Sequence, residues 1–305
     1  MSTAPPPPPK PAFKKLLSLA FKVLITILCF WYISVKIDFT AALKAILQAN
    51  WLLLVVAVLL LAFSKLQSAW RLQLYFNNIN LHLSQWQNIK LYWLGMFYNL
   101  FLPGAISGDA YKVILLNRKY GTSYKKTSAA VLLDRFSGLL ALGLILAAYG
   151  IVVLNNRLWT ILFVVGSVAA VAILYFVIKK FFKDFVPGFW PTLLWGLGVQ
   201  LTQVVCVYLL LQSLNLPLLP EWIFIFLITS VVAVFPAALG GGLGTRELVF
   251  AEGARFFNLD PEMGVAVSLL FYLSGVVSSV GGAYFIFNDP LAEKGLKGKT
   301  DVLKM

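Results

Sequence analysis

Apolar runs of about 20 residues recur along this chain, and that is the length an α-helix needs to cross a ~30 Å hydrocarbon layer. The runs place helices near residues 16–35, 50–68, 128–153, 158–178, 190–213 and 262–287. The chain is 60% hydrophobic and 12% charged, with mean hydropathy +0.84. A soluble domain has about 25% charged residues. The sequence therefore predicts an all-α integral membrane protein, a polytopic helical bundle of about six full spans. Two further segments, 86–116 and 221–257, are apolar at their flanks but broken by Pro and Gly and followed by charge.

The ends and rarer residues narrow the class. Residues 1–15 form a Pro-rich tail (PPPPPK) ending in Lys10, Lys14 and Lys15, expected to be disordered and cytoplasmic. The run that follows exceeds a signal-peptide core and lacks a small-residue cleavage site, so it is expected to stay as a helix. Residues 16–287 read as one transmembrane domain with halves at about 16–153 and 158–287, and 288–305 as a basic cytoplasmic tail. Cys29 and Cys206 sit in apolar runs without metal spacing, and His82 is the single histidine. No metal and no cofactor is expected. The net charge of +13 is explained by basic cytoplasmic loops rather than by nucleic acid. Trp51, Trp70, Trp159 and Trp222 near run ends read as interfacial anchors.

Pro and Gly at this density break a helix. Irregular backbone at membrane depth survives only inside protein or beside a water-filled cavity. Both segments are therefore expected to be re-entrant hairpins; a plain span ending in a Gly-rich loop is the competing reading. The segments resemble each other. Leu132-Leu133 and Ser137-Gly138 lie 137 residues before Leu269-Leu270 and Ser274-Gly275. Pro103 lies 133 residues before Pro236, so the second copy has four more residues between its Pro and its Leu pair. Ser123 and Asp260-Pro261 mark the starts of the helices that follow. With the N-terminus inside, 18 of the 25 Lys and Arg fall in cytoplasmic stretches, among them Lys65, Arg71 and Lys112, five fall outside, and Lys22 and Arg135 fall within spans. That asymmetry puts both termini in the cytoplasm and the two copies upside down to each other, an inverted repeat typical of transporters.

Ionisable side chains inside a span carry an insertion penalty of roughly 2.5–3.5 kcal/mol each and mark polar pathways. Asp134 and Arg135 interrupt an otherwise apolar span. Being adjacent, they point about 100° apart on a helix, so each needs its own partner. Arg135 with Asp109, or Asp134 with Lys112, are the expected pairs. Asp109 and Lys112 are three apart and share a helix face. Asn99, Gly104 and Gly108 complete the first segment's candidate site. In the second, Gly240, Gly241, Gly242 and Gly244 precede Arg246-Glu247. Glycines at a helix start bring N–H groups close to an anion, and Arg246 adds a charged fork. No GxxxxGK[ST] motif is present, so nucleotide hydrolysis has no support. Small-residue helix packing competes for the same glycines. TRELVFAEGARFF, with Glu247, Glu252 and Arg255, reads as an outer amphipathic helix.

The phrases NLFLPGAISGDAYK, AAVLLDRFSGLLAL, FPAALGGGLGTRE and SLLFYLSG, in this order, resemble the transmembrane flippase domain of lysylphosphatidylglycerol synthases from about Lys14 to Phe287. The resemblance implies that Gly108, Asp109, Asp134, Arg135, Gly241, Gly244, Arg246 and Glu247 are functional positions, with Lys112 as the basic residue after Gly-Asp. It implies a lipid flippase. The soluble aminoacyl-transferase part of such synthases is not expected here, since only a basic tail follows Phe287.

Three functions compete on the residues. A flippase or transporter of an anionic phospholipid or lipid-linked substrate in the cytoplasmic membrane fits best. A membrane enzyme acting on a lipid phosphate or polyprenyl-linked substrate would need a metal, nucleophile or base beside Asp109 or Asp134. A non-catalytic partner of a separately encoded synthase is the third. Oligomeric state is not readable.

Overall fold

In the computed structural model the described residues are 39–101, 107–234, 242 and 244–292, with Leu24, Ile27, Trp31 and Val35. Those four are helical and lie in the expected first span, most of which is outside the described residues. All secondary structure among the described residues is helical: α1 (Phe39–Leu47), α2 (Trp51–Asn77), α3 (Gln85–Phe101), α4 (Ser107–Tyr120), α5 (Tyr124–Leu154), α6 (Arg157–Phe181), α7 (Phe189–Ser213), α8 (Pro220–Val234), α9 (Thr245–Phe256), α10 (Pro261–Val280) and α11 (Tyr284–Phe287). Short 3-10 turns, Lys183–Gly188 and Gly281–Ala283, lead into α7 and α11.

Five stretches are long and apolar enough to cross a membrane: Trp51–Asn77, Tyr124–Leu154, Arg157–Phe181, Lys183–Ser213 and Pro261–Phe287. The expected spans are present, but longer than their apolar cores. The first of these continues nine residues past the expected end at 68, to Asn77, because Lys65 and Arg71 are accommodated inside the protein.

Local chemistry sets the boundaries. Asn50 caps α2, its side chain accepting from the Leu52 and Leu53 N–H groups at 3.1 and 3.4 Å. Asn155 closes α5 in the left-handed region, φ 40°, and Asn156 caps α6 through the Leu158 N–H at 2.9 Å. Asp260 and Pro261 start α10 as the sequence predicts, with Asp260 Oδ1 accepting from Glu262 and Met263 N–H. Ser123 also occupies the cap position of α5, but its side chain makes no cap bond.

Each Pro/Gly segment is a pair of helices, α3–α4 and α8–α9, packed against each other across a break. The breaks at 102–106 and 235–241 lie outside the described residues, and with them the expected site residues Gly104, Gly240 and Gly241.

Helix packing repeats between the halves. α2 packs along α7 at the centre. α5 packs on α7 and α8, while α10 packs on α2 and α3. α6 lies against α5 as α1 lies against α10, and α4 meets α5 as α9 meets α10. Exchanging α1–α5 for α6–α10 leaves this set of contacts unchanged. Two apolar cores result. One joins α2, α7, α8 and α10 around Trp222, Phe226 and Phe250; the other joins α2, α4, α5 and α7 around Tyr75, Phe76 and Leu116. Trp222 is thus a core residue and not an interfacial anchor, whereas Trp51 and Trp159 are exposed. Cys206 is buried against α2, its thiol donating to the Ala57 carbonyl at 3.3 Å.

Candidate functional site

Between the two cores runs a seam of buried polar side chains. From α2 it takes Ser64, Gln67, Ser68 and Arg71, from α5 Asp134 and Ser137, and from α7 Gln200. Apolar packing alone does not require these groups, and each one buried needs a partner.

The first cluster belongs to α2, α4 and α5. Arg71 Nε donates to Asp134 Oδ1 at 2.7 Å. Lys112 Nζ donates to Asp109 Oδ1 at 3.0 Å, and Arg135 Nε donates to the other oxygen of Asp109. The expected Arg135–Asp109 pair is present. Asp134 instead takes Arg71, and Lys112 takes Asp109, its neighbour one turn back. Lys112 is 3% exposed and sits 4.3 Å from the centre of the Tyr92 ring, so its charge is held on both sides.

Glycine makes the room. A side chain at Gly108 would meet the Gly95 carbonyl oxygen at 1.9 Å, and one at Gly95 would meet Lys112 Cε at 2.2 Å. The two arms of the first hairpin approach this closely because neither position carries a Cβ. Asn99 Oδ1 accepts from the Gly108 N–H at 2.9 Å and so ties α3 to the start of α4. Asn99 and Gly108 therefore both help set the hairpin's shape. On α5, a Cβ at Gly138 would lie 2.8 Å from Arg71 Nη1.

The second cluster opens α9. Gly242 and Gly244 have φ of 101° and 84°, values glycine adopts freely. The Gly244 N–H donates to Glu247 Oε2 at 2.7 Å, and Ser268 Oγ donates to Glu247 Oε1 at 3.0 Å. Glu247 is 0% exposed. This corrects two expectations. Glu247 is a buried helix cap rather than part of an outer amphipathic face, while Glu252 and Arg255 do pair toward the surface. And the Gly244 N–H, expected to meet an external anion, meets the chain's own carboxylate.

Arg246 is left over. It is 9% exposed, and its Nε and Nη2 are buried without hydrogen-bond partners. Its guanidinium lies 4.9 Å from the centre of the Phe271 ring. Together with Lys65, Tyr92 and Asn99 it lines a cavity of about 290 Å³ between the two hairpins.

Lys65, Arg71 and Tyr92 were not singled out by the sequence reading. Lys65 and Arg71 were assigned to a cytoplasmic stretch; both lie within α2, and Arg71 is buried. Their spacing held the signal: six residues apart on one helix, they lie nearly on one face, followed by the further apolar residues Leu72, Leu74 and Phe76. Lys112, also counted as cytoplasmic, is buried as well.

None of the curated proteins matches this chain. The family model described as the lysylphosphatidylglycerol synthase TM region matches residues 19–281, a stretch that contains both hairpins and every charged residue of the two clusters. This membrane protein belongs to the lysylphosphatidylglycerol synthase transmembrane-region family.

Proposed function

We propose that the protein moves an anionic lipid, or a lipid-linked anion, between the leaflets of the cytoplasmic membrane. The observation that carries the reading is a charge imbalance. Five cations, Lys65, Arg71, Lys112, Arg135 and Arg246, gather with three acids, Asp109, Asp134 and Glu247, where the hairpins meet. A purely structural network would be expected to neutralise itself, since unpaired charge in a low-dielectric interior is penalised by several kcal/mol. An excess of two positive charges fits a centre that receives an anion.

The architecture supports transport over enzymology. The four hairpin helices have 17, 14, 15 and 12 residues, short of the ~20 a crossing needs. They are read as re-entrant arms entering from opposite sides. The packing that survives exchange of the halves supports an inverted repeat. Removing the buried Lys65, Arg71 and Lys112 from the basic count leaves 15 of the 18 cytoplasmic positions, and removing Arg246 leaves four of the five outer ones. The bias still favours both termini inside. In this reading, rocking of one half against the other exposes the centre to each leaflet in turn.

The test is reconstitution of the full chain into liposomes carrying phosphatidylglycerol with a fluorescent label, with a membrane-impermeant quencher reporting leaflet exchange. The chain is expected to speed exchange over empty liposomes. The paired replacement Arg71→Met with Asp134→Leu is expected to abolish it while the protein remains folded. Chemical conversion of the lipid without exchange would instead favour a membrane enzyme. Exchange equal to empty liposomes would overturn the transport reading.

A further inference from the structure

Two cations in the centre have no acid to answer them. Arg246 Nε and Nη2 are enclosed and unpartnered. Its sequence neighbour Glu247 cannot serve, because both carboxylate oxygens are engaged by Gly244 and Ser268. Lys65 has no ion-pair partner among the described residues, and it repels Arg246 and Arg71. Lys65 and Arg246 line the same cavity, along with Tyr92, Asn99 and Ser279. A buried charged donor without an acceptor forfeits roughly 1–3 kcal/mol or more, so the arrangement is built for an acceptor that arrives from outside the chain.

A second cavity, about 250 Å³, adjoins the first and shares Lys65, Tyr92 and Met96 with it. Its other walls include Leu59, Phe63, Leu66 and Trp93. The indole N–H of Trp93 is already satisfied by the Ser278 carbonyl at 2.7 Å, so the ring presents an apolar surface. A polar chamber with two free cations thus opens, past Lys65, onto an apolar channel.

We propose that this double cavity is a lipid phosphate site. Arg246 and Lys65 hold the phosphate oxygens, with Asn99 and Ser279 beside them, and the channel along Leu59, Phe63 and Trp93 takes the first carbons of one hydrocarbon chain. The planar fork of Arg246 suits two oxygens at once, and Lys65 adds a point charge at the boundary between head and tail. The proposal rests on the reading of the protein as lipid-handling and deepens it by assigning the headgroup chemistry.

The test is equilibrium binding to the full chain in detergent, read by native mass spectrometry. The probes are phosphatidylglycerol, phosphatidic acid, diacylglycerol and inorganic phosphate. Both phospholipids are expected to bind at least about tenfold more tightly than diacylglycerol, and Arg246→Gln and Lys65→Met each to weaken them about tenfold or more, the loss of one charge-assisted contact. Arg246→Lys is expected to retain part of the affinity, and Lys180→Gln, on the exposed end of α6, to change nothing. Melting curves identify any variant that fails to fold, and Trp93→Phe, with fluorescence quenching by brominated-chain phosphatidylglycerol, probes the channel independently. Equal affinity for diacylglycerol, unaltered binding in folded Arg246→Gln and Lys65→Met, or displacement by inorganic phosphate as effective as by lipid would each overturn the site. Because no leaflet exchange is measured, binding without transport would leave the site standing and sink the transport reading. Exchange that persists in folded Arg246→Gln would do the reverse.

Discussion

Arg71 and Asp134 come from helices 63 residues apart, meet at 2.7 Å, and have side chains more than nine-tenths buried. The pair joins α2 to α5 at the level of the apolar cores. Removing one member strands the other charge in a low-dielectric interior, and such losses run to about 3–5 kcal/mol. Asp134→Leu alone is therefore expected to lower stability by about 3 kcal/mol. Adding Arg71→Met should restore most of it, because the desolvation of both ions disappears together. Thermal melting of the two singles and the double in one detergent checks this. A double no more stable than the worse single would show that the pair has a further partner.

Gly138 sets where that guanidinium can lie. A Cβ there would stand 2.8 Å from Arg71 Nη1, and one at Gly196 would stand 3.0 Å from the Ala141 methyl group. Gly138→Val is expected to push Arg71 off Asp134 and destabilise by about 1–3 kcal/mol, the usual range for overpacking. In an Arg71→Met background the same change should be milder. The difference between the two backgrounds, taken as a double-mutant cycle, isolates the clash.

How much of this was legible in the sequence follows the range of each interaction. Span positions were legible because apolar length and caps such as Asp260-Pro261 act locally. The Asp109–Arg135 pair was reachable because both residues lie in the first segment and the span after it. Arg71 was missed because its partner is set by tertiary packing, and a basic residue just past an apolar run looks like a loop charge. Lys65 was missed for the same reason. The glycine-rich start of α9 was read as a ligand nest because nothing in TRE says that Glu247 turns back onto Gly244. The choice between internal cap and external anion was decided by burial, which the sequence does not carry.

That cap gives the second hairpin its own test. Gly244 needs φ 84°, and its N–H is held by Glu247 at 2.7 Å. Gly244→Ala is expected to lose about 1–2 kcal/mol through the left-handed backbone. Glu247→Gln should cost a similar amount, since the charge-assisted bond becomes a neutral one. Both changes should speed amide hydrogen exchange in α9 while leaving α4 unchanged. Equal acceleration in both helices would mean that the effect is global rather than seated in the cap.

Beyond the last span the chain folds back onto the first hairpin. Leu291 is fully buried, its carbonyl accepts from Gln87 Nε2 at 2.9 Å, and Lys119 Nζ donates to Asp289 Oδ2 at 2.7 Å. Burial pushes the Asp289 carboxyl up. The hydrogen bonds from Lys119 and the Leu291 N–H, with the charges of Lys119 and Lys90, outweigh that and hold it below the usual carboxylate range. A carboxyl depressed in the folded state stabilises fully above its unfolded value, about 3.9, and that contribution fades as the pH falls through the lower, folded value. Amide exchange at Leu291 and Ala292 should therefore stay protected from pH 7 down to the ordinary carboxylate range and open below it. Asp289→Asn should make protection independent of pH over that window. Gln87→Ala should lower protection at every pH, because the bond it removes carries no titrating group.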